Sequence, residues 1–234
     1  MRSRSAAREF LSKVSLFSEL DDELLDLLAG VARFRKFARY ATVVRQGDTD
    51  GDLYVVASGL LRISVRSSEG KEFALGLLGS PEVFGEIALI DGSARSATVS
   101  AQKPSELMVV PRSEAMECVQ RVPELAFKLM VAMAAHVRRL TRRVEELGAL
   151  PVSARTARRL VEIAELYGTK LGPNRVALPL DLSQQDLAEH VHATRESVNK
   201  CLGGWMREGI VQRTHSQIVI DDLARLSVLS ASRA

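Results

Sequence analysis

The run Arg195-Glu-Ser-Val-Asn-Lys200 carries four polar side chains whose types and spacing suit the edges of base pairs. On a helix, Val198, Leu202 and Trp205 share one face, and Arg195, Glu196, Asn199 and Lys200 project from the other near its N-terminal end. An arginine fork matches guanine O6 and N7, glutamate accepts from cytosine N4, asparagine pairs with adenine, and lysine reaches guanine or phosphate. The same residues equally suit a solvated face on which Glu196 and Lys200 form a weak i,i+4 pair. The choice rests on the elements around them.

Those elements are legible. Ser183-Gln-Gln-Asp186 has the form of a capping box and opens a short helix through Val191. His192-Ala-Thr194 interrupts it, and Thr194 caps a second helix, so two helices are joined by a very short turn. Small Ala188 lets them cross closely, and Val198 holds the second onto the first. Ile210–Arg213 and Gln217–Ile220, flanking Thr214-His-Ser216, predict a β-hairpin. The whole is a winged helix-turn-helix. Gly203 and Gly204 sit inside the second helix, each costing about 1 kcal/mol relative to alanine, and a bend is expected after Leu202.

Upstream, short β-prone runs from about Phe34 to Pro111, broken by Gly, Asp, Ser and Pro, predict an antiparallel barrel or jelly roll. Ser18–Leu28, with Ser18 as N-cap, predicts a short helix ahead of it. Beyond Pro111 the period becomes helical, and Pro123 opens a long helix ending near Gly148. Ala126, Met130, Met133, Val137, Leu140, Val144 and Leu147 follow coiled-coil spacing, which suits a dimer seam or a helix packed on its own barrel. Arg138, Arg139, Arg142 and Arg143 beside it read as a solvated face. Gly148-Ala-Leu-Pro151 ends the helix, dividing the chain into 1–122, 123–150 and 151–234. Ser153–Tyr167 predicts another amphipathic helix and Arg175–Leu180 a strand.

Hydrophobic residues make up 46% of the 234 and charged ones 26%, the balance of an ordinary soluble globular protein. The net charge of +3 is compatible with a polyanionic partner and decides little. No run approaches the length needed to cross a bilayer, and the chain reads as cytoplasmic. Cys118 and Cys201 are the only cysteines and lack metal-ligand spacing, so no metal site is expected. No nucleophile and base suggest an enzyme, and no catalytic residue is assigned.

Two further segments, Phe84-Gly-Glu-Ile-Ala-Leu89 and Arg95-Ser-Ala-Thr-Val99, read on their own as a bend and a surface charge. With Thr194-Arg-Glu-Ser-Val-Asn199 and the order of parts, they give the chain a strong resemblance to the CRP/FNR family, the cyclic-AMP receptor protein and its relatives, over nearly its whole length. The resemblance implies an α+β fold: a cyclic-nucleotide-binding β jelly roll, a long dimerisation helix and a winged helix-turn-helix. It implies that the two segments form a phosphate-binding cassette. Gly85 would expose backbone amides, Arg95 would fork the phosphate oxygens, and Ser96 and Ala97 would adjoin them. Glu86 would accept from the ribose 2′-hydroxyl, and Phe84, Ile87 and Ala88 would line the cavity. It further implies double-stranded DNA, a cyclic nucleotide effector with cyclic AMP favoured, a homodimer through 123–148 and RNA polymerase as partners, with no other cofactor. Ser183, Thr194, Arg195, Glu196, Ser197, Asn199 and Lys200 would meet DNA.

The chain departs from the family pattern at two places besides its glycine pair. Two adjacent hydroxyl residues that would meet the base become Leu140 and Thr141, which leaves cyclic GMP, cyclic di-GMP or no ligand as alternatives. His192 stands where relatives place a turn glycine, and histidine is among the residues tolerated in a left-handed conformation, so the turn is expected to form.

Overall fold

The computed structural model describes residues 4–179, 183–214 and 217–232. The chain forms two compact units, 1–138 and 139–234. The first begins with α1 (Arg4–Ser12), a 3-10 turn at Ser15–Phe17 and α2 (Asp22–Val31). Strands β1 (Arg33–Phe37), β2 (Thr42–Val44), β3 (Leu53–Ser58), β4 (Leu60–Arg66), β5 (Glu72–Gly79) and β6 (Val83–Phe84) follow. Then come α3 (Glu86–Asp91), β7 (Thr98–Ala101), β8 (Ser105–Val110), α4 (Arg112–Arg121) and α5 (Pro123–Ala149).

The strands make two four-stranded antiparallel sheets, β1-β8-β3-β6 and β2-β7-β4-β5. Alternation along β3 and β8 shows how they are covered. Tyr54, Val56, Leu107 and Val109 join Leu61, Leu78, Phe84 and Val99 in the core between the sheets. Leu53, Val55, Met108 and Val110 point the other way into a second core with Leu11, Phe17, Leu24, Leu28, Cys118 and Leu125. Both faces of these strands are buried, which is why Leu-Tyr-Val-Val and Leu-Met-Val-Val are apolar without a break. The helical covering includes α1 and α4, which the β-prone runs could not announce.

Residue Ser18 does not cap the helix expected over Ser18–Leu28. Asp21 takes that place, its carboxylate accepting from the Leu24 amide at 2.9 Å. A carboxylate also suits the positive end of the helix better than a hydroxyl does. Ser18 instead accepts from Lys128 Nζ at 2.6 Å, tying α5 to the 3-10 turn.

The second unit holds the last turns of α5, then α6 (Val152–Tyr167), β9 (Thr169–Lys170), β10 (Val176–Ala177), α7 (Gln184–Val191) and α8 (Arg195–Arg207). It ends with β11 (Val211–Arg213), β12 (Ile218–Ile220) and α9 (Leu223–Ala231). The strand expected over Arg175–Leu180 is confined to β10, and Leu180 lies outside the described residues. β11 and β12 pair antiparallel as expected and extend through β10 to β9, while His215 and Ser216 of their turn lie outside the described residues. The glycine pair does not break α8, which runs unbroken through Gly203 and Gly204 to Arg207. Its buried face of Val198, Leu202 and Trp205 supplies the tertiary packing that outweighs the glycine cost.

The turn between α7 and α8 rests on His192 at φ 51° and ψ 50°, the left-handed conformation that closes α7. Ala193 N donates to Ala188 O at 3.0 Å, completing the cap. A β-branched residue suffers most from this backbone. His192→Val is expected to lower stability by about 1–2 kcal/mol relative to His192→Gly, measured by chemical denaturation; equal stability of the two variants would show that the turn relaxes.

Candidate ligand and DNA-binding sites

Within the first unit, β6 ends at Phe84 and the chain turns at Gly85 with φ 95° into α3. A Cβ here would stand 2.6 Å from Arg95 Nη1 and 2.7 Å from the Asp52 carbonyl oxygen, so glycine is required by both conformation and space. Leu89 N donates to the Gly85 carbonyl at 3.0 Å. Phe84 lies 6% exposed in the inter-sheet core and stacks on Tyr54, with centroids 4.9 Å apart.

Arg95 is brought to the same place from the other side. Its amide donates to Asp48 O at 2.7 Å and its carbonyl accepts from Gly47 N at 2.9 Å, clamping it to the β2–β3 loop. The guanidinium, whose side chain is 4% exposed, pairs with the Asp50 carboxylate and donates to Asp52 O at 2.8 Å. It also lies 5.4 Å from the centre of the Tyr54 ring. Its buried Nε finds no acceptor among the described residues. An arginine fixed on one edge and unsatisfied on another is prepared for a tetrahedral anion.

Around it, Glu86 and Ile87 are half-buried, Ala88 is buried, Ser96 is exposed and Ala97 half-buried. The structure brings Gly85 and Arg95 together, and the other residues adjoin these two along the chain. Sequence reading missed the loop that holds Arg95; the acid spacing Asp48-Thr-Asp-Gly-Asp52 was the available signal. Burial, with Asp50 next in effect, raises the Tyr54 hydroxyl above its ordinary pKa. Leu140 and Thr141 belong to the second unit, where both are exposed on α5. Along the same helix Met130, Val137, Val144 and Leu147 are exposed at 60%, 59%, 69% and 41%, so the heptad seam lies largely open to solvent within one chain.

In the second unit Ser183 forms the expected capping box: its hydroxyl accepts from Asp186 N, and Asp186 Oδ2 accepts from Ser183 N, both at 3.0 Å. Thr194 caps α8 by accepting from Ser197 N at 3.2 Å. Arg195, Glu196 and Lys200 are exposed. Arg195 Nε donates to Gln184 at 3.2 Å, which steadies the side chain at the start of both helices. Asn199 differs from the outward projection expected of it. It is half-buried, and its Oδ1 is buried without a donor among the described residues.

A family model described as a cyclic nucleotide-binding domain matches residues 34–122, and one described as a Crp-like helix-turn-helix domain matches 154–229; together they span more than half of the chain. The chain is 26% identical to a CRP-like cAMP-activated global transcriptional regulator of Mycobacterium tuberculosis, covering 94% of this chain and 97% of that one. Identity to the cyclic AMP receptor protein of Thermus thermophilus is 29%, over 92% and 96% of the two chains. A solved CRP/FNR-family transcriptional regulator of Thermus thermophilus superposes with a TM-score of 0.72 at 26% identity, covering 86% of this chain and all of that one. Both matched domains, in this order, and full-length similarity to such regulators show that the chain belongs to the CRP/FNR family of transcription regulators.

Proposed function

We propose that this protein is a homodimeric regulator in which a cyclic nucleotide, cyclic AMP foremost, binds the Gly85–Ala97 cassette and sets the placement of two recognition helices on a palindromic DNA site. The observation that carries the proposal is Arg95, a buried guanidinium with an unsatisfied donor beside the bare backbone of Gly85. An exocyclic phosphate would accept from Arg95 and from the Ser96 hydroxyl, and the ribose 2′-hydroxyl would donate to Glu86. The printed names of the Mycobacterium tuberculosis and Thermus thermophilus relatives favour cyclic AMP. Leu140 offers the base no hydrogen bond, so Thr141 alone supplies a hydroxyl there. Cyclic GMP and cyclic di-GMP are the competing effectors on that account.

The exposed seam of α5 supports the dimer. Large apolar side chains at heptad spacing are a surface that a second copy of the helix covers by knobs-into-holes packing. A twofold dimer sets its recognition helices about 34 Å apart, in successive major grooves. Base readout falls on Arg195 and Glu196, with Lys200 next. Ser183, Thr194 and Ser197 lie at helix starts, where hydroxyls and amides suit phosphates. RNA polymerase is the further partner this role calls for, and the cytoplasm is its setting.

Coupling requires that ligand and DNA bias one equilibrium. Arg95→Ala is expected to abolish the thermal stabilisation produced by cyclic AMP while light scattering still reports a dimer; unchanged nucleotide affinity by calorimetry would overturn the cassette assignment. Arg195→Ala is expected to weaken binding to a selected operator by about 1–3 kcal/mol and to relax preference at one base pair. Equal losses on every sequence in a gel-shift series would make Arg195 a phosphate contact.

A further inference from the structure

The last turns of α5, the N-terminal half of α6 and the C-terminal end of α7 enclose a cleft inside the second unit. Arg143, read from sequence as part of a solvated face, is 18% exposed and lies 3.8 Å from Glu162. Arg159, 7% exposed, donates to Glu162 at 2.5 Å, and Arg158 donates to Glu146 at 2.9 Å. Arg155 lines the same cleft, and its buried Nε finds no acceptor among the described residues. Four guanidiniums thus line the cleft with two carboxylates. The other lining residues, Leu147, His190, Val191 and His192, add no negative charge.

Helix dipoles do not close the gap. The C-terminus of α7 contributes about half a negative charge, and the N-terminus of α6, where Arg155 sits, about half a positive one. Arg143 and Arg159 both meet Glu162, and Arg158, 41% exposed, meets Glu146, which leaves the buried Nε of Arg155 as a donor without an acceptor among the described residues. Among the lining residues the charge stays positive by two. Burial, followed by the nearness of Arg159, holds Arg143 down to about 10.

We infer that this cleft binds a small phosphate-class anion, whose oxygens take up the donors of Arg155 and Arg158 and whose charge offsets the excess. DNA is the less suitable source of that phosphate. Duplex backbone meets cations on a protein's outer surface, whereas the Arg155 Nε that lacks an acceptor among the described residues is buried in the cleft. The cleft also reaches His192, the left-handed residue that starts the turn into α8. An anion held there gives the recognition helix a second input, separate from the Arg95 cassette.

The test is calorimetric titration of the full-length protein with sodium pyrophosphate at constant ionic strength. Saturable binding is expected, weakened about tenfold or more by Arg155→Ala and unchanged by Arg95→Ala. Glu146→Gln, which removes one of the two carboxylates, is expected to tighten binding, and this opposite sign tests the site even if Arg155→Ala unfolds. Absence of saturable heat would overturn the inference, as would loss of binding on Arg95→Ala, which would place the anion in the barrel. So would an Arg155→Ala protein that binds pyrophosphate normally but loses salt-dependent affinity on all DNA, since Arg155 would then be a backbone contact.

Discussion

Arg95 carries a permanent charge into the interior of the first unit, and taking an ion of that size out of water costs several kcal/mol unless counter-charge and hydrogen bonds meet it. Three carbonyl or carboxylate groups answer this demand, those of Asp50, Asp52 and Gly85. Each constrains something else. Asp50 and Asp52 hold the β2–β3 loop against the cassette. The carbonyl of Gly85 and the lack of a Cβ there bring the turn after β6 within reach of the guanidinium. Tyr54 and Phe84 then stack beneath, joining the site to the inter-sheet core.

The second unit solves a different local problem. Two short helices must meet across a turn of a few residues, which needs one residue in a left-handed conformation and close helix contact. His192 supplies the first, and Ala188, 2% exposed, the second. Caps at Ser183 and Thr194 satisfy the orphan amides at the start of both helices, so the exposed residues that follow are presented on a fixed frame. Where the turn meets α6, four guanidiniums line a cleft with two carboxylates.

Legibility followed the range of the interactions. Both caps of the helix-turn-helix, the opening of α5 at Pro123 and the left-handed His192 depend on residues within a few positions of each other, and each was readable. The cap of α2 was misplaced from Asp21 to Ser18, because both are cap-forming residues and only the path of the chain decides between them. The continuity of α8 through its glycines was unreadable for another reason: helix propensity counts about 1 kcal/mol per glycine, whereas burial of Val198, Leu202 and Trp205 belongs to the tertiary structure.

From the sequence alone came the order of parts, the face of α8 that carries Arg195, Glu196 and Lys200, the heptad seam, and Gly85 and Arg95 as members of one cassette. The first three need only local periodicity and residue chemistry, whereas the cassette was legible only through the family resemblance. Tertiary structure decided which charges are answered. Asp50 stands 45 positions before Arg95, and no periodicity links them. Arg143 and Arg159 similarly look like surface charges along their helices until packing encloses both beside Glu162. A charge's cost depends on the solvent it loses and the partners it gains, and both are set only when distant segments meet.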